Sequence, residues 1–90
     1  MIKEIEIAIV NSANRALKIM KKAPHLQVEE IIKKLLPFFE AEGMSEEAKI
    51  AAVAAINGVI NLRRVHRELG DREIIERFMR EYKKTFNDLK

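Results

Sequence analysis

Hydrophobic residues recur at helical spacing through almost the whole chain, and polar punctuation divides the pattern into four segments. In the first, residues 2–22, a turn of about 100° per residue puts Ile2, Ile5, Ile9, Ala13, Ala16, Leu17 and Met20 on one side. Lys3, Glu4, Asn11, Asn14, Arg15, Lys18, Lys21 and Lys22 fall on the other. Ile5, Ile7 and Ile9 also alternate with Glu4, Glu6 and Ala8 in the manner of a strand. No second segment reads as a strand, and a lone strand has nothing to pair with. Helix is therefore the reading. It leaves Ile7 pointing to solvent and Glu6 at the edge of the apolar face.

Ala23-Pro24-His25 breaks this helix, because proline disfavours helical backbone in the residue before it. The second helix is predicted over about residues 26–42, with Val28, Ile31, Ile32, Leu35, Leu36, Phe38 and Phe39 as its apolar face. Pro37 interrupts its hydrogen-bond ladder from the polar face, which predicts a kink bending around a core rather than two helices. Gly43 supplies a stop, and Ser45 followed by Glu46 and Glu47 supplies the next start. The third helix is predicted to run to Leu69 and to end at Gly70. Asp71 is then expected to cap a fourth helix, whose apolar face is Ile74, Ile75, Phe78, Met79, Tyr82, Phe86 and Leu89. Connections this short favour antiparallel neighbours. The expected fold is all-α: a single domain over residues 1–90, a compact four-helix bundle with a kinked second helix. Leu35, Phe38 and Phe78 are expected in its core.

The third helix departs from the one-sided pattern. Ala48, Ala51, Ala55, Gly58, Leu62 and Leu69, with Ala52 and Val59 beside them, form a side whose small residues let a neighbour approach closely. The opposite side is also apolar, through Ile50, Val53, Ile56 and Ile60, interrupted by Asn57 and Asn61. A helix apolar all round is a buried helix, and in so short a chain three neighbours rarely enclose one completely. Either this helix threads the centre of an irregular bundle, or its second stripe meets another chain. Asparagine in an apolar seam is a device for fixing register and oligomer state. Ile50, Val53, Ile56, Asn57, Ile60 and Asn61 are accordingly expected to form a homodimer interface. Self-association through the third helix, as an interaction or assembly module, is the first functional expectation.

Composition narrows the setting. The chain is 48% hydrophobic and 34% charged, which belongs to a folded globular protein. Its longest uncharged run, Ile50–Leu62, has 13 residues, short of the roughly 20 that span a membrane. The start, Met1-Ile2-Lys3-Glu4, lacks the features of a secretory signal, so a cytoplasmic protein is expected. Absence of cysteine excludes disulfides, thiolate catalysis and cysteine-ligated zinc. The wealth of Lys, Arg, Glu and Ile resembles proteins from hot environments.

Candidate chemistry is sparse. Ser12, Ser45, Thr85 and Tyr82 are the available hydroxyls; Ser45 serves as a cap, and a mid-helix serine such as Ser12 commonly bonds back to its own helix. Tyr82 and Thr85 lie on or beside the fourth apolar face. His25 and His66 stand in no metal-ligand spacing, and the three glycines are isolated rather than gathered in a phosphate loop. No enzyme activity, metal or cofactor is expected. The densest charge cluster is Arg63-Arg64-Val65-His66-Arg67, with Arg72 across the turn. It reads as a phosphate-binding patch, or as cations drawn to a helix C-terminus by the macrodipole, as Lys18, Lys21 and Lys22 are at the end of the first helix. A pI of 9.3 points to nucleic acid, but a net charge of only +3, with 14 acids among 17 bases, points away. A helix-turn-helix at Ala54, Gly58 and Val59 fails, because Asn57, Arg64 and Arg67 stand where apolar residues belong. Nucleic-acid binding through Arg63, Arg64, Arg67 and Arg72 is the second expectation.

Overall fold

Small side chains decide which helices meet. The computed structural model describes residues 2–88, with side chains over residues 3–82. It contains α1 (Ile2–Lys22), α2 (Val28–Ala41), α3 (Glu46–Val65) and α4 (Asp71–Asp88), and no strand among the described residues. The all-α four-helix fold is the expected one. The expectations at Thr85, Phe86 and Leu89 lie outside the described side chains. No described helix is long and apolar enough to cross a membrane.

α1 and α3 pack together far more extensively than any other pair. Ala8, Ser12, Ala13 and Ala16 of α1 are buried, as are Ala48, Ala51, Ala52 and Ala55 of α3. Where such one-carbon side chains meet, two helix axes can draw close. Larger residues fill the space around this seam: Leu17 and Met20 from α1, Ile31, Leu35 and Phe39 from α2, Ile56, Val59 and Ile60 from α3, Ile74 and Ile75 from α4. Gly58 extends the small side of α3 toward α4. A Cβ at Gly58 would stand 2.4 Å from the Phe78 ring, so the ring fits only because glycine lacks one.

Both α1 and α3 contact all three other helices, whereas the backbones of α2 and α4 do not approach each other among the described residues. This arrangement accounts for much of the second apolar stripe of α3, though Ile50 stays exposed. Ile56 and Ile60 are fully buried in the chain's own core, and Val53 packs against it half-buried. The expected dimer interface is corrected at Ile56 and Ile60, which the neighbouring helices take into the chain's own core, whereas Val53 keeps part of its surface and Ile50, Asn57 and Asn61 stand exposed.

Helix ends follow local chemistry. The Ser45 Oγ accepts from the Ala48 N–H at 3.2 Å, the predicted cap. Gly43, at φ 65°, ends α2, with its own N–H on the Glu40 carbonyl and that of Met44 on the Phe39 carbonyl. These are the two bonds of a Schellman closure, which the left-handed residue makes feasible. α2 is assigned as one helix through the exposed Pro37.

Three expectations are corrected. α3 ends at Val65, not Leu69, because His66 leaves helical geometry and the Arg63 guanidinium takes the Leu69 carbonyl. Asp71 is the first residue of α4 rather than its cap: the Gly70 carbonyl accepts from the Ile74 N–H, and the Asp71 carboxylate turns to Arg63 instead. Phe39, not Phe38, is the buried ring of α2, while Phe38 is 49% exposed. α2 lies at the edge of the bundle and buries a narrow stripe, Ile31, Leu35 and Phe39, four residues apart. Phe38 lies beside it under the Arg15 guanidinium, 4.8 Å from the ring centre.

Candidate nucleic-acid interface

In a bundle with short connections, the first and third helices run the same way, and their C-termini arrive at one end. Cations are favoured at helix C-termini by the macrodipole. Two such basic ends therefore meet. Between them opens a groove of about 560 Å³, lined by Met20, Lys21, Pro24, Arg63, Arg64 and Arg67. Met20 and Pro24 give it an apolar part, and every other lining residue is cationic.

The four cations are held differently. Arg63 is largely covered: one guanidinium nitrogen donates to the Leu69 carbonyl and another to the Asp71 carboxylate. The second Asp71 oxygen lies 3.1 Å from the Lys21 ammonium, so one carboxylate bridges both cations. Arg64 donates to the Leu26 carbonyl at 3.4 Å, across to the α1–α2 connection. Arg67 is exposed and engages no partner among the described residues. With Asp71 counted, the groove keeps an excess of positive charge concentrated on Arg64 and Arg67.

His66 ties the turn after α3 to α4. The Arg77 guanidinium stands 3.1 Å from His66 Nε2, and a guanidinium can only donate. Nε2 thus accepts in this arrangement, which leaves the proton on Nδ1, 3.4 Å from the Glu68 carboxylate. Glu68 is held below the ordinary carboxylate range, first by its own backbone N–H and then by His66.

Of the four arginines expected to contact phosphate, the fold gathers Arg63, Arg64 and Arg67. Arg72 does not line the groove and pairs with Glu76 at 3.1 Å on the exposed side of α4. Sequence reasoning missed Lys21, Met20, Pro24 and the counter-charge of Asp71. A signal for Lys21 existed, since two basic helix ends one helix apart must share a pole. Of the residues expected at a dimer interface, Ile50, Asn57 and Asn61 are exposed, Val53 is half-buried, and Ile56 and Ile60 are buried. Among the described residues no three His, Asp or Glu side chains gather closely enough to hold a metal ion. The chain matches no protein-family model, no curated protein and no solved structure.

Proposed function

We propose that this chain is a small, non-catalytic binding module of the cytoplasm that holds the phosphate backbone of nucleic acid at the groove between α1 and α3. One observation carries the reading: two helix ends far apart in sequence bring Lys21, Arg63, Arg64 and Arg67 around one concavity, with Asp71 the single acid paired to them among the described residues. Arginine is suited to phosphate because its planar fork can donate two parallel hydrogen bonds. Among the described residues no aromatic ring lines the groove, so base stacking of the kind used on single strands has no platform in them. The contact is with the backbone, and it is independent of sequence. Arg64 and Arg67 supply it, and Lys18 and Lys22 stand exposed on the last turns of α1.

Three to four phosphate contacts on duplex DNA give a log-affinity slope against log salt of about −3 to −3.5. Replacing Arg64 and Arg67 together by Gln is expected to flatten that slope by about 2 and to weaken binding roughly 100-fold at 50 mM salt. Fluorescence anisotropy with a labelled 20-base-pair duplex measures both. Absence of binding by the native chain at low salt and micromolar protein sinks the proposal, and capture of an acidic protein instead would reassign the groove.

Self-association is the second reading, favoured by the exposed and uncharged run of Ile50, Ala54, Asn57 and Asn61 along the outside of α3. Burying one isoleucine from each chain offers about 3–6 kcal/mol gross, against roughly 4–15 kcal/mol for association. A homodimer built on that face alone is weak.

A further inference from the structure

Among the described residues Asp71 is the single acid in contact with the groove's cations, and it reaches two of the four. One of its oxygens accepts from Arg63 and the other lies 3.1 Å from Lys21. A carboxylate makes the same charge-assisted hydrogen bonds as a phosphate oxygen. The two partners differ in freedom. Arg63 is also fixed on the Leu69 carbonyl, and its side chain is mostly covered. The Lys21 side chain is 69% exposed and held only from one direction.

We propose that Asp71 is a built-in counter-ion that competes with phosphate for Lys21, and so sets the affinity of the groove and its salt dependence. The inference rests on the groove being the nucleic-acid site. In the native chain Lys21 is already neutralised and releases no counter-ion when phosphate arrives. Without the Asp71 charge, Lys21 turns to the ligand and adds one contact. Asn at position 71 removes the charge, leaves an oxygen for Arg63 to bond, and leaves the Leu69 bond untouched.

The test is a double-mutant cycle on the 20-base-pair duplex, using Asp71→Asn, Lys21→Gln and the pair. One added contact steepens the salt slope by about 0.9 and tightens binding roughly 10-fold at 50 mM salt. Asp71→Asn is expected to do both. Lys21→Gln alone is expected to change affinity less than about twofold, and in the Asp71→Asn background to erase the gain. Glu73→Gln removes one acid from the same helix without touching Lys21, and is expected to alter affinity by less than about threefold. Asp71→Ser serves if the Asn variant loses its helical circular dichroism. Native binding with no gain from a folded Asp71 variant overturns the counter-ion and leaves the groove reading intact. So does a several-fold loss from Lys21→Gln alone, because Lys21 would then already be bound to phosphate. Failure of the native chain to bind overturns both.

Discussion

At the scale of single residues, adjacent phenylalanines in α2 have different fates. Phe39 is buried among Ile31, Leu35 and the α3 side chains, while Phe38 lies half-exposed beneath Arg15. Truncating Phe39 to Ala is expected to cost about 3–5 kcal/mol, the range for emptying a buried aromatic site. Phe38→Ala removes a partly exposed ring and an exposed cation–π contact, together worth no more than about 1–2 kcal/mol. Urea denaturation of the two variants measures the difference, and equal losses would contradict the burial assigned to each. The pattern of α2 could not rank the two, because both lie within the wide apolar arc that periodicity draws. Which part of that arc is covered depends on how many neighbours the helix has. Gly58 is similar: its sequence signature is one of close packing, but only the structure identifies Phe78 as the group that fills the space.

Among elements, boundaries were legible where a cap or a left-handed turn marks them, and illegible where a side chain intervenes from a distance. Ser45 and Gly43 are of the first kind. The end of α3 is of the second, since Leu69 falls on the core side of an extended helix as well as of the observed turn. Its apolar position therefore carries no information about where the helix stops. Arg63 makes the difference by bonding the Leu69 carbonyl and Asp71. Pro37 offers a test within α2, where it stands exposed inside a helix assigned as continuous. Pro37→Ala restores a backbone donor and is expected to leave stability unchanged or raise it by up to about 3 kcal/mol. Thermal denaturation reads the sign, and a loss above about 1 kcal/mol would mean that the packing of Leu35 and Phe39 depends on a bend there.

For the whole molecule, charges that look mixed along the chain separate in space. Residues 18–25 and 63–72 contain seven Lys and Arg against two acids, whereas residues 40–47 at the opposite end of the bundle contain four Glu, three of them paired with Arg15 or Lys49. A net charge of only +3 thus coexists with one strongly positive pole, which is what draws a polyanion. The central place of α3 has its own consequence. Ile56→Lys forces an ammonium into the core and is expected to unfold the chain, losing at least about 4 kcal/mol. Ile50→Lys, on the outer face, is expected to change stability by less than about 0.5 kcal/mol. Light scattering is expected to give the 10.4 kDa monomer mass for the native chain and for Ile50→Lys at tens of micromolar. A native dimer that Ile50→Lys dissociates would instead restore α3 as an interface.

The amino-acid sequence by itself determined the helices, most of their ends and the surplus of small residues on α1 and α3, because each of these is a local property. Period, capping and side-chain size act over one or two turns of backbone. Tertiary structure alone decided that Ile56 and Ile60 of α3 are buried within their own chain, that Lys21 and Asp71 belong to the arginine groove, and that Arg72 does not. Those facts depend on which helices become neighbours. Neighbours are selected by summed burial over the whole core, a quantity that no single segment contains.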